Sequence, residues 1–392
     1  MRGQNRNNCR VRNKLVRNGV VPRNSGAAGP PQNGGPRPVL ILGGAGFIGT
    51  NLADRLLKSN RPVMVYDNLS RPGVERNLDW LQEMHGGNVR IEMGDICDRP
   101  KLRKALQGAE QVFHFAAQVA VTTSIASPLH DFTVNALGTV TLLEELRALE
   151  DPPPLVFTST NKVYGGLKGL DLQVNCKRYE PVDPFLRLTG INERCPLDFY
   201  SPYGCSKGAA DQYVIDYART YGLPAAVFRM SCIYGPHQFG TEDQGWVAHF
   251  LISAIEGRPL TIYGDGMQVR DILFIDDLID AFLLVQENIR SLSGQAFNIG
   301  GGPSNVISLL ELLELVKGRQ KETPAINFAD WRPGDQRYYV SDSKKFAAAT
   351  GWAPKVSAAR GVGELYNWLL DSRRVSSEQS AGEKEHYEVC LD

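Results

Sequence analysis

Paired cysteines are the first thing this chain lacks. Its seven cysteines (Cys9, Cys97, Cys176, Cys195, Cys205, Cys232 and Cys390) include no Cys-x-x-Cys spacing, and its six histidines do not cluster beside them. Neither a disulfide framework nor a structural zinc is therefore expected, and no residue is assigned to a metal. No apolar run approaches the length of a membrane span. Acidic residues are missing before residue 38, where eight of the 43 Lys and Arg residues fall, leaving 35 basic residues against 43 acidic ones in the remainder. That mildly acidic body argues against a nucleic-acid-binding surface. Residues 1–36 are rich in Asn, Arg, Gly and Pro and lack the apolar centre of a secretory signal. They read as a disordered extension, with an organelle transit peptide as the alternative. Residues 372–392 are polar and aperiodic, and a flexible tail is expected there. A cytoplasmic protein with no membrane or nucleic-acid partner is the resulting expectation.

What is present is enough for a large core: 42% of 392 residues are hydrophobic. Short apolar runs alternate with helical periodicity. Pro38–Leu42, Val63–Tyr66, Val89–Met93, Gln111–Phe115, Leu155–Thr158 and Ala225–Met230 read as buried strands, and Phe47–Lys58 and Tyr203–Tyr221 as helices. This order predicts an α/β fold with a doubly wound, Rossmann-like parallel sheet. Residues 37–235 are assigned to the dinucleotide-binding domain. Residues 236–371 are assigned mainly to a smaller, interleaved substrate-binding region over the carboxyl edge of the sheet.

Gly43, Gly46 and Gly49 lie between the first strand and the first helix. Glycines there allow a tight turn, close approach of backbone to a pyrophosphate, and close packing of the helix, whose amino end favours negative charge. Asp67 follows the second strand, placed to accept hydrogen bonds from ribose hydroxyls and to repel a 2′-phosphate, so NAD is expected rather than NADP. The expected cofactor contacts are Gly43, Gly46, Phe47, Ile48, Gly49, Asp67, Asn68, Asp95, Ile96, Ala116 and Ala117. Tyr203 and Lys207 stand at i and i+4 on one helix face. A phenol is too weak an acid to serve as a base near neutrality, and a neighbouring ammonium is expected to lower its pKa.

The glycine fingerprint, Thr158-Ser-Thr-Asn-Lys-Val-Tyr-Gly165 and Tyr203-x-x-x-Lys207 occur in the order found in the extended short-chain dehydrogenase/reductase family, which the chain resembles from about Val39 to about Leu370. The resemblance implies that Thr160 is the hydroxyl that holds the reacting sugar oxygen, with Tyr203 and Lys207 as its catalytic partners. It also implies that Arg270 and Arg332, and as an added candidate Arg337, bind the substrate diphosphate. Sugar-nucleotide 4,6-dehydratases carry Asp-Glu after the strand hydroxyl, whereas this chain has Asn161-Lys162, so water elimination loses its acid and base. Together with Asp243-Gln-Gly-Trp-Val247, this is most similar to the branch that inverts C2 of CDP-hexoses. The expectation is an NAD-dependent nucleotide-sugar epimerase, possible as a homodimer or homotetramer. A UDP-sugar 4-epimerase and a non-catalytic NAD-binding relative are the alternatives.

Overall fold

The six apolar runs and a seventh at Ala296–Ile299 form one parallel sheet, because all but the edge run Val89–Met93 are almost wholly buried on both sides. In chain order they are β1 (Val39–Leu42), β2 (Val63–Asp67), β3 (Val89–Met93), β4 (Gln111–His114), β5 (Leu155–Thr160), β6 (Ala225–Met230) and β7 (Ala296–Ile299). The spatial order is β7-β6-β5-β4-β1-β2-β3, with every neighbouring pair parallel. The computed structural model describes residues 36–319 and 324–389, with side chains as far as Arg373. The extension expected over residues 1–36 lies outside them except for Pro36.

Alternation along β1 shows why the sheet is covered twice. Val39 and Ile41 join a core with the first helix, α1 (Phe47–Lys58), and the Ile275–Glu287 helix. Leu40 and Leu42 point the other way, into a core with the helices at 99–106, 138–147 and 201–221. Each fully buried Leu or Ile contributes roughly 1.5–3 kcal/mol relative to exposure, so a one-residue slip of β1 would be strongly disfavoured.

The order reverses between β1 and β4, which opens a crevice at the carboxyl ends of those strands, the position where sheets of this kind take ligands. Residues after Pro236 do not form a separate body. Residues 35–392 cluster as one unit, and β7, from the later region, completes the large sheet. A second sheet is built around Val269–Phe274. It pairs with Cys232–Tyr234 and Tyr338–Tyr339 in parallel and with Val306–Ser308 antiparallel. The last helix spans Ala358–Val389, running past residue 372, where the sequence suggests a flexible tail. Among the described residues no helix is long and apolar enough to cross a membrane, and no group of three or more His, Cys, Asp or Glu is placed to hold a metal.

Candidate active site

The glycine turn explains itself geometrically. Gly43 has φ +80°, and a Cβ on it would sit 2.5 Å from the Ala116 backbone nitrogen. Only glycine permits both the left-handed backbone and that approach of the turn to the end of β4. Gly49 packs on the turn itself, since its Cβ would lie 2.5 Å from Gly44 Cα. The close packing that this glycine permits is between the helix and the loop. Gly46 caps α1 without any side-chain hydrogen bond, and the first turn carries no acid. Its amide donors are therefore left for an anion, which is how such a helix end holds a phosphate.

Asp67 closes the adjacent side. One carboxylate oxygen accepts from the Ala45 N–H at 3.0 Å and the other from the Leu69 N–H at 2.9 Å. Burial lifts its pKa, and these amides offset that only in part. Asn68 donates to Asp95 at 2.7 Å, tying the ends of β2 and β3 together, and Ile96 is buried beside them. The donor-rich helix end, the close-approach glycine and the carboxylate at the end of β2 fit a dinucleotide with free ribose hydroxyls.

Thr160 ends β5, and Tyr203 and Lys207 come from the Ser201–Tyr221 helix packed beside it. The Thr160 hydroxyl lies beside the Tyr203 phenol and lowers its pKa. Thr160 Oγ1 also donates to Asn161 Oδ1 at 3.3 Å and accepts from the Lys162 N–H at 3.2 Å. Lys207 Nζ donates to the Thr158 carbonyl at 2.7 Å and lies 4.2 Å from the Phe157 ring centre. The three sequence-expected side chains thus gather at one strand end.

Their electrostatics differ from the expectation. Burial pushes the Tyr203 phenol up to about 12, with the Thr160 hydroxyl pulling against it. Burial drives Lys207 down to about 7, opposed by Asp211 and Asp131. The Lys207 ammonium is turned to a carbonyl and does not by itself acidify the phenol. Forming a phenolate here requires further positive charge close by. His114, fully buried and held down to about 3 by burial and then by Lys207, stays neutral.

A cleft of about 230 Å³ opens beside this cluster, lined among others by Asn161, Lys162, Trp246, Arg270, Arg332 and Asp335. Arg270 donates to Asp335 at 3.1 Å. Arg332 donates to the Glu242 carbonyl at 3.1 Å and lies 3.8 Å from the Tyr263 ring centre. Arg337 is not among the lining residues; its guanidinium lies over Tyr179 and Trp331, 5.5 Å from each ring centre.

Several contributors escape a motif reading. Residues 133–137 form a π-helical turn that presents Asn135. Its side chain accepts from the Gln118 N–H and donates to the Gln118 carbonyl, both at 2.9 Å, and donates to Ser206 Oγ at 3.1 Å. The loop after β4 is thereby tied to the helix bearing Tyr203. Asp211, on that same helix, accepts two hydrogen bonds of 2.9 Å from Arg229 on β6. A π-turn of this kind often marks a functional site, but it leaves no signature in sequence.

Fold and site together define a dinucleotide-dependent enzyme of the short-chain dehydrogenase/reductase type, with a tyrosine–lysine–threonine cluster next to a cleft that Asn161 and Lys162 line. Residues 39–300 match the NAD dependent epimerase/dehydratase family, and the chain belongs to it; its cofactor is NAD. It is 43% identical to CDP-paratose 2-epimerase of Salmonella typhi, over 84% of this chain and 98% of that one. A dTDP-glucose 4,6-dehydratase of Neisseria meningitidis is 33% identical, over 86% and 94%. The crystal structure of UDP-glucuronic acid 4-epimerase from Bacillus cereus, in complex with UDP-glucuronic acid and NAD, aligns with a TM-score of 0.73 at 27% identity, covering 85% of this chain and 99% of that one.

Proposed function

We propose that the enzyme inverts C2 of a CDP-hexose through a transient keto-sugar, with Thr160, Tyr203 and Lys207 as the reacting set. The 43% identity to a CDP-paratose 2-epimerase across nearly its whole length carries this reading. Asn161 and Lys162, where an eliminating enzyme needs a carboxylate pair, support it.

NAD, when bound, would supply the means of taking up and giving back a hydride, together with the positive charge that a phenolate at Tyr203 needs. Tyr203 takes the proton from the sugar hydroxyl, Thr160 holds that oxygen, and Lys207 would hold the cofactor's ribose. Inversion would then require the keto-sugar to turn within the cleft before Tyr203 returns the proton, so that its opposite face is presented. No net oxidation occurs. Gly43, Gly46, Phe47, Ile48, Gly49, Asp67, Asn68, Asp95, Ile96, Ala116 and Ala117 would hold the cofactor, and Arg270 and Arg332 the substrate diphosphate.

Incubation with CDP-, GDP- and UDP-hexoses, followed by NMR, identifies the inverted carbon. Inversion at C2 of a CDP-hexose is expected. Inversion only at C4 of a UDP-hexose would replace this reading with the 4-epimerase one. Self-association belongs to the same proposal. Leu129, Phe132 and Leu137 are 77%, 52% and 48% exposed on consecutive helical turns next to the Ser201–Tyr221 helix, an apolar face suited to a second copy. Light scattering is expected to give a dimer or tetramer, and L129E to give monomer.

A further inference from the structure

Reaction at C2 places a demand on this cleft that reaction at C4 does not. C2 is bonded to the anomeric carbon, whose oxygen carries the β-phosphate of a nucleotide sugar, whereas C4 lies across the ring. If C2 is the carbon brought to Thr160 and Tyr203, the β-phosphate must lie close beside them. An anion there needs a cation within hydrogen-bonding reach of the same spot.

Lys162 stands in that place. It follows Thr160 by two residues, in the 3-10 turn that closes β5, and lines the cleft with about one-fifth of its side chain exposed. Its Nζ donates to Asp335 at 3.3 Å and to the Gly334 carbonyl at 3.4 Å. An ammonium has three donors, so one is left for a ligand. Arg270 reaches the same Asp335 oxygen at 3.1 Å. Two cations thus converge on one carboxylate, leaving an excess positive charge in the part of the cleft wall that starts two residues after Thr160. Arg332 sits against Glu242, Asp243 and Tyr263. It is suited to the more distant part of the diphosphate.

We infer that Lys162, with Arg270, receives the β-phosphate and so determines that C2 rather than C4 meets the reacting groups. This assignment rests on the C2 reading above. Lys162 is then a specificity-determining residue, and Asp335 a positioning residue that holds both cations toward the cleft.

The test compares CDP with CMP, which differ by the β-phosphate, in calorimetric titrations of the NAD-loaded enzyme. In K162M, affinity for CDP is expected to fall about tenfold or more while affinity for CMP stays within about twofold. KM for the CDP-hexose rises alongside. K162R restores most of the CDP affinity, and K162E, which puts a carboxylate where the phosphate is to lie, loses more than K162M. If wild type inverts C2 but folded K162M distinguishes CDP from CMP as wild type does, the Lys162 assignment is overturned and the C2 reading stands. Equal loss for CDP and CMP, with K162R as impaired as K162M, also overturns it. If wild type inverts C4, the C2 reading itself fails and the assignment goes with it.

Discussion

Thr160→Val is the most informative single change, because it removes one hydroxyl and keeps the β-branched shape. That hydroxyl lies beside the Tyr203 phenol, donates to Asn161 at 3.3 Å and accepts from the Lys162 N–H at 3.2 Å. Both bonds are long, and their loss costs about 1 kcal/mol each in stability, which leaves the fold intact. The loss in turnover is larger. A preorganised donor aimed at an oxygen that gains charge is worth about 3–4 kcal/mol, so kcat falls ~10²–10³-fold with KM nearly unchanged. Thr160 also pulls the Tyr203 phenol down against its burial. Without that pull the base ionises at higher pH, and the acidic limb of the kcat/KM profile moves upward. T160S retains the hydroxyl and is expected to stay within about tenfold of wild type. S159A is the control, since the buried Ser159 hydroxyl has no hydrogen-bond partner among the described residues. Initial rates by NMR, from neutral to alkaline pH, read all of these. T160V within about tenfold of wild type, with S159A down a hundredfold or so, would refute the assignment and transfer the role to Ser159.

Y203F is expected to lower turnover by at least ~10²–10⁴-fold while NAD still co-purifies; near-normal turnover would remove Tyr203 from the mechanism. Lys207 gives a pH-dependent stability. Its pKa falls from the ordinary 10.5 to about 7 on folding, so across that window the unfolded chain binds the extra proton and stability rises with pH. Melting of the cofactor-free protein should show this rise, at most about 1.4 kcal/mol per pH unit, and K207M should flatten it; identical slopes would contradict the burial argument. R229M strands the Asp211 carboxylate, whose side chain is 0% exposed, and is expected to cost about 3–5 kcal/mol in urea unfolding. The pair D211N and R229M together should cost less than R229M alone, and a loss from R229M below about 1 kcal/mol would count against the pair as a clamp on the helix.

Much of the architecture was legible because it depends on local pattern. The spans Phe47–Lys58, Val89–Met93 and Ala225–Met230 agree with the structure end to end, since apolar runs bounded by turn residues carry their own limits. The spacing of Gly43, Gly46 and Gly49 identified the crevice, and the i, i+4 spacing of Tyr203 and Lys207 put both on one helix face. The surroundings of Arg337, which precedes the Tyr338–Tyr339 strand and lies over Tyr179 and Trp331, could not be read from motif spacing.

Sequence alone determined the order of the first six strands of the large sheet, pointed to the dinucleotide crevice, and supplied the side chains proposed to react. These follow from short-range periodicity and from backbone conformations that only glycine adopts. Only the tertiary structure decided the charge state and company of those side chains. The phenol is raised rather than lowered because burial outweighs any help from Lys207, whose ammonium turns to the Thr158 carbonyl. Lys162 and Arg270 meet at Asp335, 173 and 65 residues away along the chain. Contacts over such separations depend on how the second sheet docks beside β5, which no local pattern encodes.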